Sequence, residues 1–116
     1  MHVGIDIIEI ERIKNSMKNN RFMNRVFSNE ELELFRKRKN NPETIAGRFC
    51  VKEAFGKALG TGIRDFELDE VTTLNDELGA PRIILTGKAL EMVGDRKISV
   101  SISHTKKYAT AIVIIY

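Results

Sequence analysis

The stretch PETIAGRFCVKEAFGKAL, residues 42–59, decides the fold. Asn41 ahead of Pro42 offers an N-cap followed by proline at the first helical position, where a missing N–H costs nothing. Gly60-Thr61-Gly62 supplies the matching stop. Between them, Ile45, Ala46, Phe49, Cys50, Val51, Ala54, Phe55, Ala58 and Leu59 surround nearly the whole circumference at the roughly 100° per residue of an α-helix. A helix apolar on every side is a buried helix, so the remaining segments have to wrap it.

Toward the N-terminus, Val3, Ile5 and Ile7 alternate with Gly4 and Asp6, which predicts a strand. Ile10, Ile13 and Met17 then recur at helical spacing until Asn19-Asn20 interrupts, and Phe22, Val26 and Phe27 continue as a short helical turn. Ser28-Asn29-Glu30-Glu31 reads as a capping box that opens a helix over 29–38, with Leu32 and Phe35 inward. Toward the C-terminus, Phe66, Leu68, Val71 and Leu74 predict a strand, 75–79 a turn and Arg82–Leu85 its partner. Residues 87–93 suit a short helix. Ile98, Val100 and Ile102 alternate with Ser99, Ser101 and Ser103, and a His-Thr-Lys-Lys turn leads into the Ile- and Val-rich 108–116. One strand, then helices, then mostly strands gives an α+β single domain over 1–116, an antiparallel-rich sheet against the long buried helix.

At 116 residues, 42% hydrophobic and 30% charged, the composition suits one folded domain and excludes a disordered tail. No apolar run reaches the ~20 residues of a membrane span. The opening MHVGID places an acidic residue where a secretion signal requires basic and then apolar ones. Cys50 is the single cysteine, so no internal disulfide is available and a cytoplasmic location is expected.

The formal charge of +3 hides a separation. Residues 12–39 carry nine basic and three acidic residues, a local +6, while 65–80 carry six acidic residues and no basic ones. A basic block fits nucleic acid, a phosphate-bearing ligand or an acidic protein, and equally a solvated helix face. Against nucleic acid, aromatics are few, and only Phe22 is expected to stand exposed among the basic residues.

Asp6 lies inside the apolar VGIDII, and Glu53 falls within the apolar arc of the long helix, between Phe49 and Ala46. Buried carboxylates are costly unless paired, hydrogen-bonded or bound to a metal. A capping role for Asp6 and an i,i+4 pair of Glu53 with Lys57 are the plain alternatives. Two carboxylates from separate elements beside a lysine also suit Mg²⁺ and a phosphorylated ligand. His104 begins a turn at a strand end, beside Ser103 and Thr105. Ser103 points to the opposite face, which disfavours a serine–histidine hydrolase. The Gly60-Thr61-Gly62 loop follows a helix rather than preceding one, so it is no P-loop. Cys50 reads as core.

Three segments carry a resemblance: GIDIIEIERI near the start, AGRFCVKEAFGKALGTGI in the centre and SISHTKKYATA near the end. Together, in this order and spacing, they closely resemble the holo-[acyl-carrier-protein] synthases, the short single-domain 4′-phosphopantetheinyl transferases. The larger two-domain relatives carry an acidic residue two positions after the first Asp; Ile8 stands here, as in the short class. The resemblance implies transfer of the 4′-phosphopantetheine arm of coenzyme A to a serine of an acyl carrier protein in fatty acid biosynthesis, leaving adenosine 3′,5′-bisphosphate. It implies Mg²⁺ held by Asp6 and Glu53. Catalytic roles fall to Glu53 as base and Lys57 at the phosphates, with His104 the second candidate base or a phosphate contact. Lys57, Gly60, Thr61, His104 and Thr105 would line the coenzyme A site, and Arg48 is a further candidate for a phosphate. Arg12, Arg21 and Arg25, with Phe22 as apolar anchor, would meet the acidic carrier protein. A homotrimer with its site at the subunit interface completes what the resemblance implies, with no nucleic-acid or membrane partner. A nucleic-acid-binding domain and a non-catalytic coenzyme A sensor are the competing classes.

Overall fold

In a computed structural model describing residues 1–116, the long helix α4 (Pro42–Leu59) runs through the centre of the molecule. The Asn41 side chain accepts from the Glu43 amide at its start, and Gly60 ends it in the left-handed region at φ 81°. Before it come strand β1 (His2–Glu9) and helices α1 (Ile10–Ser16), α2 (Asn20–Val26) and α3 (Asn29–Lys37). After it come β2 (Val71–Asn75), β3 (Pro81–Leu85), α5 (Gly87–Val93), β4 (Ile98–His104) and β5 (Tyr108–Ile115). The expected capping box is present at α3, where Ser28 and Glu31 satisfy each other's amides.

The strands form two antiparallel sheets rather than one: β1-β5-β4 and the separate hairpin β2-β3. β5 is central because its residues 109, 111, 113 and 115 are buried apolar side chains, able to pack on α4 while β1 and β4 pair on either side. Along β1 the even positions face α4. Gly4 does so with its backbone in contact: a Cβ there would overlap the Ala54 carbonyl oxygen and lie 2.5 Å from the Ala58 nitrogen. This close approach sets β1 directly on the C-terminal half of α4.

One expectation fails. Phe66 and Leu68 do not belong to a strand; Leu68–Glu70 is a 3₁₀ turn and β2 begins at Val71. The reason is Glu70, whose carboxylate accepts from the amides of Glu67, Lys88 and Ala89. It holds its own turn closed and caps the start of α5, so side-chain hydrogen bonding replaces ladder pairing. Asp76 likewise closes the β2–β3 turn by accepting from Leu78 and Ala80. Part of the acidic segment 65–80 is therefore turn chemistry.

On the opposite face of the three-stranded sheet, β1 and β5 present bare apolar side chains, while β4 presents Ser99, Ser101 and Ser103. Val3, Ile5 and Ile7 are 60%, 61% and 66% exposed, and Ile112 and Ile114 stand beside Ile5 and Val3 in register.

Candidate functional site

β1 brings Asp6 onto α4 two residues after the Gly4 contact. Its side chain is only 17% exposed, and its Oδ1 lies 3.2 Å from Lys57 Nζ. Lys57 Nζ also donates to the Ile5 carbonyl at 3.0 Å. The lysine expected to pair with Glu53 along the helix thus forms its salt bridge with Asp6, because β1 presents both a carbonyl and a carboxylate to it. Glu53 forms no salt bridge within 4.0 Å.

Glu53 carries the clearest electrostatic signature. Burial pushes its carboxyl up from the ordinary range, the Asp6 charge pushes it further, and Lys57 draws it partly back. A carboxyl raised above its unfolded value keeps a proton that the unfolded chain has lost, so stability falls as pH rises through that window. The cost is absent below about pH 4.5 and complete above the raised value. Glu53→Gln is therefore expected to raise the thermal midpoint of the metal-free protein near neutral pH. The gain should vanish toward about pH 4; calorimetric scans at both values check it, and an equal gain at both would remove the electrostatic cause.

Such a pair fits a hard divalent cation. No group of three or more His, Cys, Asp or Glu side chains is assembled, so a four-ligand zinc site has no donors here. Magnesium needs only one or two carboxylates and takes its other oxygens from water and substrate phosphate. Asp6 and Glu53 would suit that set, and a cation would relieve the like-charge cost on Glu53. Cys50 adds nothing to it. Burial, then the Asp6 and Glu53 charges, push its thiol up to about 12, and its Sγ donates to the Ala109 carbonyl at 3.3 Å. It is core, as its position suggested.

The other expected site residues divide into two groups. The Gly60 amide donates to the Lys57 carbonyl at 3.0 Å, and Thr61 donates to the Gly62 carbonyl at 3.1 Å, tightening the loop after the lysine. His104 and Thr105 stand apart. Asp6 aligns with Ala111 and Ile102, whereas His104 aligns with Ala109 and Ile8, two strands away. That is on the order of 10 Å across the sheet. His104 Nδ1 instead lies 3.3 Å from Glu43 at the start of α4. Thr105 Oγ1 accepts from the Lys107 and Tyr108 amides, shaping the turn and leaving its hydroxyl proton to donate.

Two further cations of α4 are buried: Lys52, which had no assigned role, and Arg48, the further candidate for a phosphate. Lys52 is fully buried and paired with Glu31, not with a neighbour on its own helix. Burial lowers its pKa and the Glu31 charge and hydrogen bond draw it back up. Arg48 is 5% exposed, bonds the Asn75 side-chain oxygen, and leaves its Nε without a partner. Arg38 reaches the same oxygen at 3.4 Å. Two guanidiniums thus share one neutral acceptor, with no carboxylate in salt-bridge range. For Lys52 the only signal in the sequence was a cation placed in a helix without a polar face.

Arg12, Arg21 and Arg25 are exposed on α1 and α2. Phe22 is corrected: it is half-buried, its ring 6.2 Å from Phe27 edge-on and 6.0 Å from Phe49. It is drawn inward because α2 packs its apolar side over the core. With Glu31 buried against Lys52, the exposed part of the basic block is more positive than its sequence tally.

Known proteins resemble this chain over nearly its whole length. The profile of the 4′-phosphopantetheinyl transferase superfamily matches residues 2–113. A holo-[acyl-carrier-protein] synthase of Fusobacterium nucleatum is 45% identical, covering 97% of this chain and 96% of its own. One from Clostridium tetani is 48% identical, covering 97% and 93%. Among solved structures, the Neisseria meningitidis synthase superimposes with a TM-score of 0.88 at 33% identity, covering 99% of this chain and 97% of its own. The Helicobacter pylori synthase, in complex with coenzyme A, gives 0.85 at 31%, covering 98% and 99%.

Proposed function

The chain belongs to the 4′-phosphopantetheinyl transferase superfamily, among its holo-[acyl-carrier-protein] synthases, and from that premise we propose that it transfers the 4′-phosphopantetheine arm of coenzyme A to a serine of an apo-acyl carrier protein. The observation that carries the chemistry is the meeting of Asp6, Glu53 and Lys57 where β1 crosses α4. The serine hydroxyl attacks the diphosphate phosphorus that bears the pantetheine arm. The bond from that phosphorus to the bridging oxygen breaks, and adenosine 3′,5′-bisphosphate leaves with the bonding electrons.

The residues divide this work as their positions allow. Asp6 and Glu53 would hold Mg²⁺, which, when bound, neutralises charge growing on the diphosphate. Glu53 also serves as the base for the serine proton, with the cation beside it lowering the cost of bringing the hydroxyl near two carboxylates. Lys57 is half-exposed above Asp6 and meets the phosphate oxygens as they gain charge. Its ammonium also stands ready to protonate the departing oxygen. Gly60 and Thr61 border it and offer backbone and hydroxyl to the coenzyme. His104 and Thr105, distant from Asp6 within one chain, serve as contacts for the coenzyme's phosphates, with the Glu43 carboxylate orienting the imidazole from 3.3 Å. A phosphate would also give Arg48 Nε the partner it lacks and satisfy both Arg38 and Arg48.

The carrier protein is acidic in this reading, and Arg12, Arg21 and Arg25 form its landing face. Such charges speed encounter and set orientation more than they add affinity. Arg12→Glu and Arg21→Glu are expected to weaken carrier-protein binding at least ~10-fold while leaving coenzyme A binding intact. Separate calorimetric titrations read the two, and equal loss of both would place the arginines elsewhere. The bare apolar face of β1 and β5 supports a homotrimer, because an exposed patch of this kind marks an interaction surface. Sedimentation equilibrium would read three chains; a monomer at micromolar concentration would rule that assembly out. No helix is long and apolar enough to cross a membrane, and a cytoplasmic place in fatty acid biosynthesis belongs to the same proposal.

Product release tests the reaction. With coenzyme A, Mg²⁺ and an apo carrier protein, adenosine 3′,5′-bisphosphate should accumulate in step with added carrier, and a carrier whose serine is alanine should release none. Coenzyme A binding without nucleotide release would make the chain a sensor instead.

A further inference from the structure

We propose that the buried Glu31–Lys52 ion pair is a positioning device for the reaction: it fixes the rotation of α4 about its own axis and so aims Glu53 at Asp6. The inference rests on the reading of Asp6 and Glu53 as the magnesium-holding pair.

α4 needs such a device because its sequence does not specify a face. Apolar residues occupy its whole circumference, so burial alone is nearly indifferent to which side meets β1. A slip of one residue turns every side chain by about 100°. The close approach at Gly4 selects small residues opposite it, and α4 offers those on more than one side, at Ala46, Gly47, Ala54, Gly56 and Ala58. Gly56 against the Gly62 carbonyl and Gly47 against Ile102 narrow the choice, and directional hydrogen bonds complete it.

Lys52 makes three. Its Nζ donates to Glu31 Oε1 at 2.7 Å, to the Leu68 carbonyl at 2.9 Å and to the Val71 carbonyl, and sits 5.3 Å from the centre of the Phe27 ring. Glu31 is equally committed. Oε1 also accepts from the Ser28 amide at 3.1 Å, and Oε2 accepts from the Thr73 amide at 3.1 Å. Both side chains are fully buried, so α3, α4, the 3₁₀ turn and β2 converge on one pair. With Lys52 pinned toward α3 and β2, the next residue, Glu53, is turned by about 100° toward β1. Cys50 Sγ on the Ala109 carbonyl marks the same orientation from the sheet side.

A buried ion pair is a poor source of net stability, since its desolvation offsets its attraction; fixing a register is its best-attested use. That separates the proposal from a purely structural role. Two double variants, E31Q/K52M and E31L/K52M, remove both charges together at similar volume. At least one should still unfold in a single cooperative transition, at a lower midpoint because the Leu68 and Val71 carbonyls lose their donor. Mn²⁺ titration followed by electron paramagnetic resonance should show its dissociation constant raised ~10-fold or more, and turnover reduced on the order of 100-fold, with KM for the carrier protein unchanged. Asp6→Asn is the control. If it binds Mn²⁺ as wild type does, the magnesium reading itself fails. If it loses Mn²⁺ while a folded double variant keeps wild-type affinity and turnover, the positioning proposal alone is overturned. Failure of both doubles to fold would overturn it too, because the pair would then be needed for the fold rather than for its aim.

Discussion

Asp6→Ala and Glu53→Ala are each expected to lower kcat/KM for transfer by on the order of 10³-fold or more while the protein stays folded. The size of the loss follows from what the two residues do together. In the proposed site each would supply an anionic oxygen to one cation position, so the survivor would be left with a single carboxylate and a salt bridge to Lys57 at most. The fold has little at stake. Asp6 is 17% exposed and its side chain forms one salt bridge, to the half-exposed Lys57, and Glu53 is a destabilising carboxylate held raised by burial. Circular dichroism and thermal scans alongside a transfer assay separate activity from folding. Wild-type transfer by either variant at low Mg²⁺ would sink the metal assignment.

The second large effect is on the fold itself. Gly4→Val places two methyl groups and a Cβ where the Ala54 carbonyl and the Ala58 amide already stand. Backbone cannot yield as a flexible side chain does, so β1 must lift from α4. Overpacking of a tight core contact costs about 1–3 kcal/mol and sometimes more, against a total stability of about 5–15 kcal/mol. We expect the upper end of that range here, a drop in thermal midpoint of roughly 10 °C or more. Gly79→Ala is the contrast. Gly79 has φ 86° but nothing within 4 Å of a Cβ, so only local backbone strain is charged to it. A Gly4→Val midpoint matching Gly79→Ala would mean that β1 and α4 are not in the contact described.

What was legible in the sequence follows the range of the forces involved. The ends of α4 were readable because a cap, a proline and a left-handed glycine act within a few residues, and 42–59 is the helix observed. The Ser28–Glu31 capping box and the terminal hairpin were readable for the same reason. Segment 66–70 was not, because its conformation depends on Glu70 reaching Lys88 and Ala89 across the chain. At the site, periodicity marked Asp6 and Glu53 as carboxylates in apolar surroundings, and the family resemblance gave them a shared purpose. Neither could say that Lys57 would choose Asp6 over Glu53, or that Lys52 would find Glu31 twenty-one positions earlier. Partner choice between charges is decided by which elements pack together, and local pattern carries no record of that. Phe22 illustrates the opposite error. Its basic neighbours suggested an exposed anchor, whereas Phe27 and Phe49 hold it half-buried.

The central claim is the destination of the pantetheine arm, and intact-mass spectrometry of the carrier protein reads it directly. Incubated with this protein, coenzyme A and Mg²⁺, an apo carrier protein should gain the mass of one 4′-phosphopantetheine at its serine, and omission of coenzyme A should leave it unchanged. Several apo carrier proteins, all unmodified after prolonged incubation with folded protein and bound coenzyme A, would contradict the account.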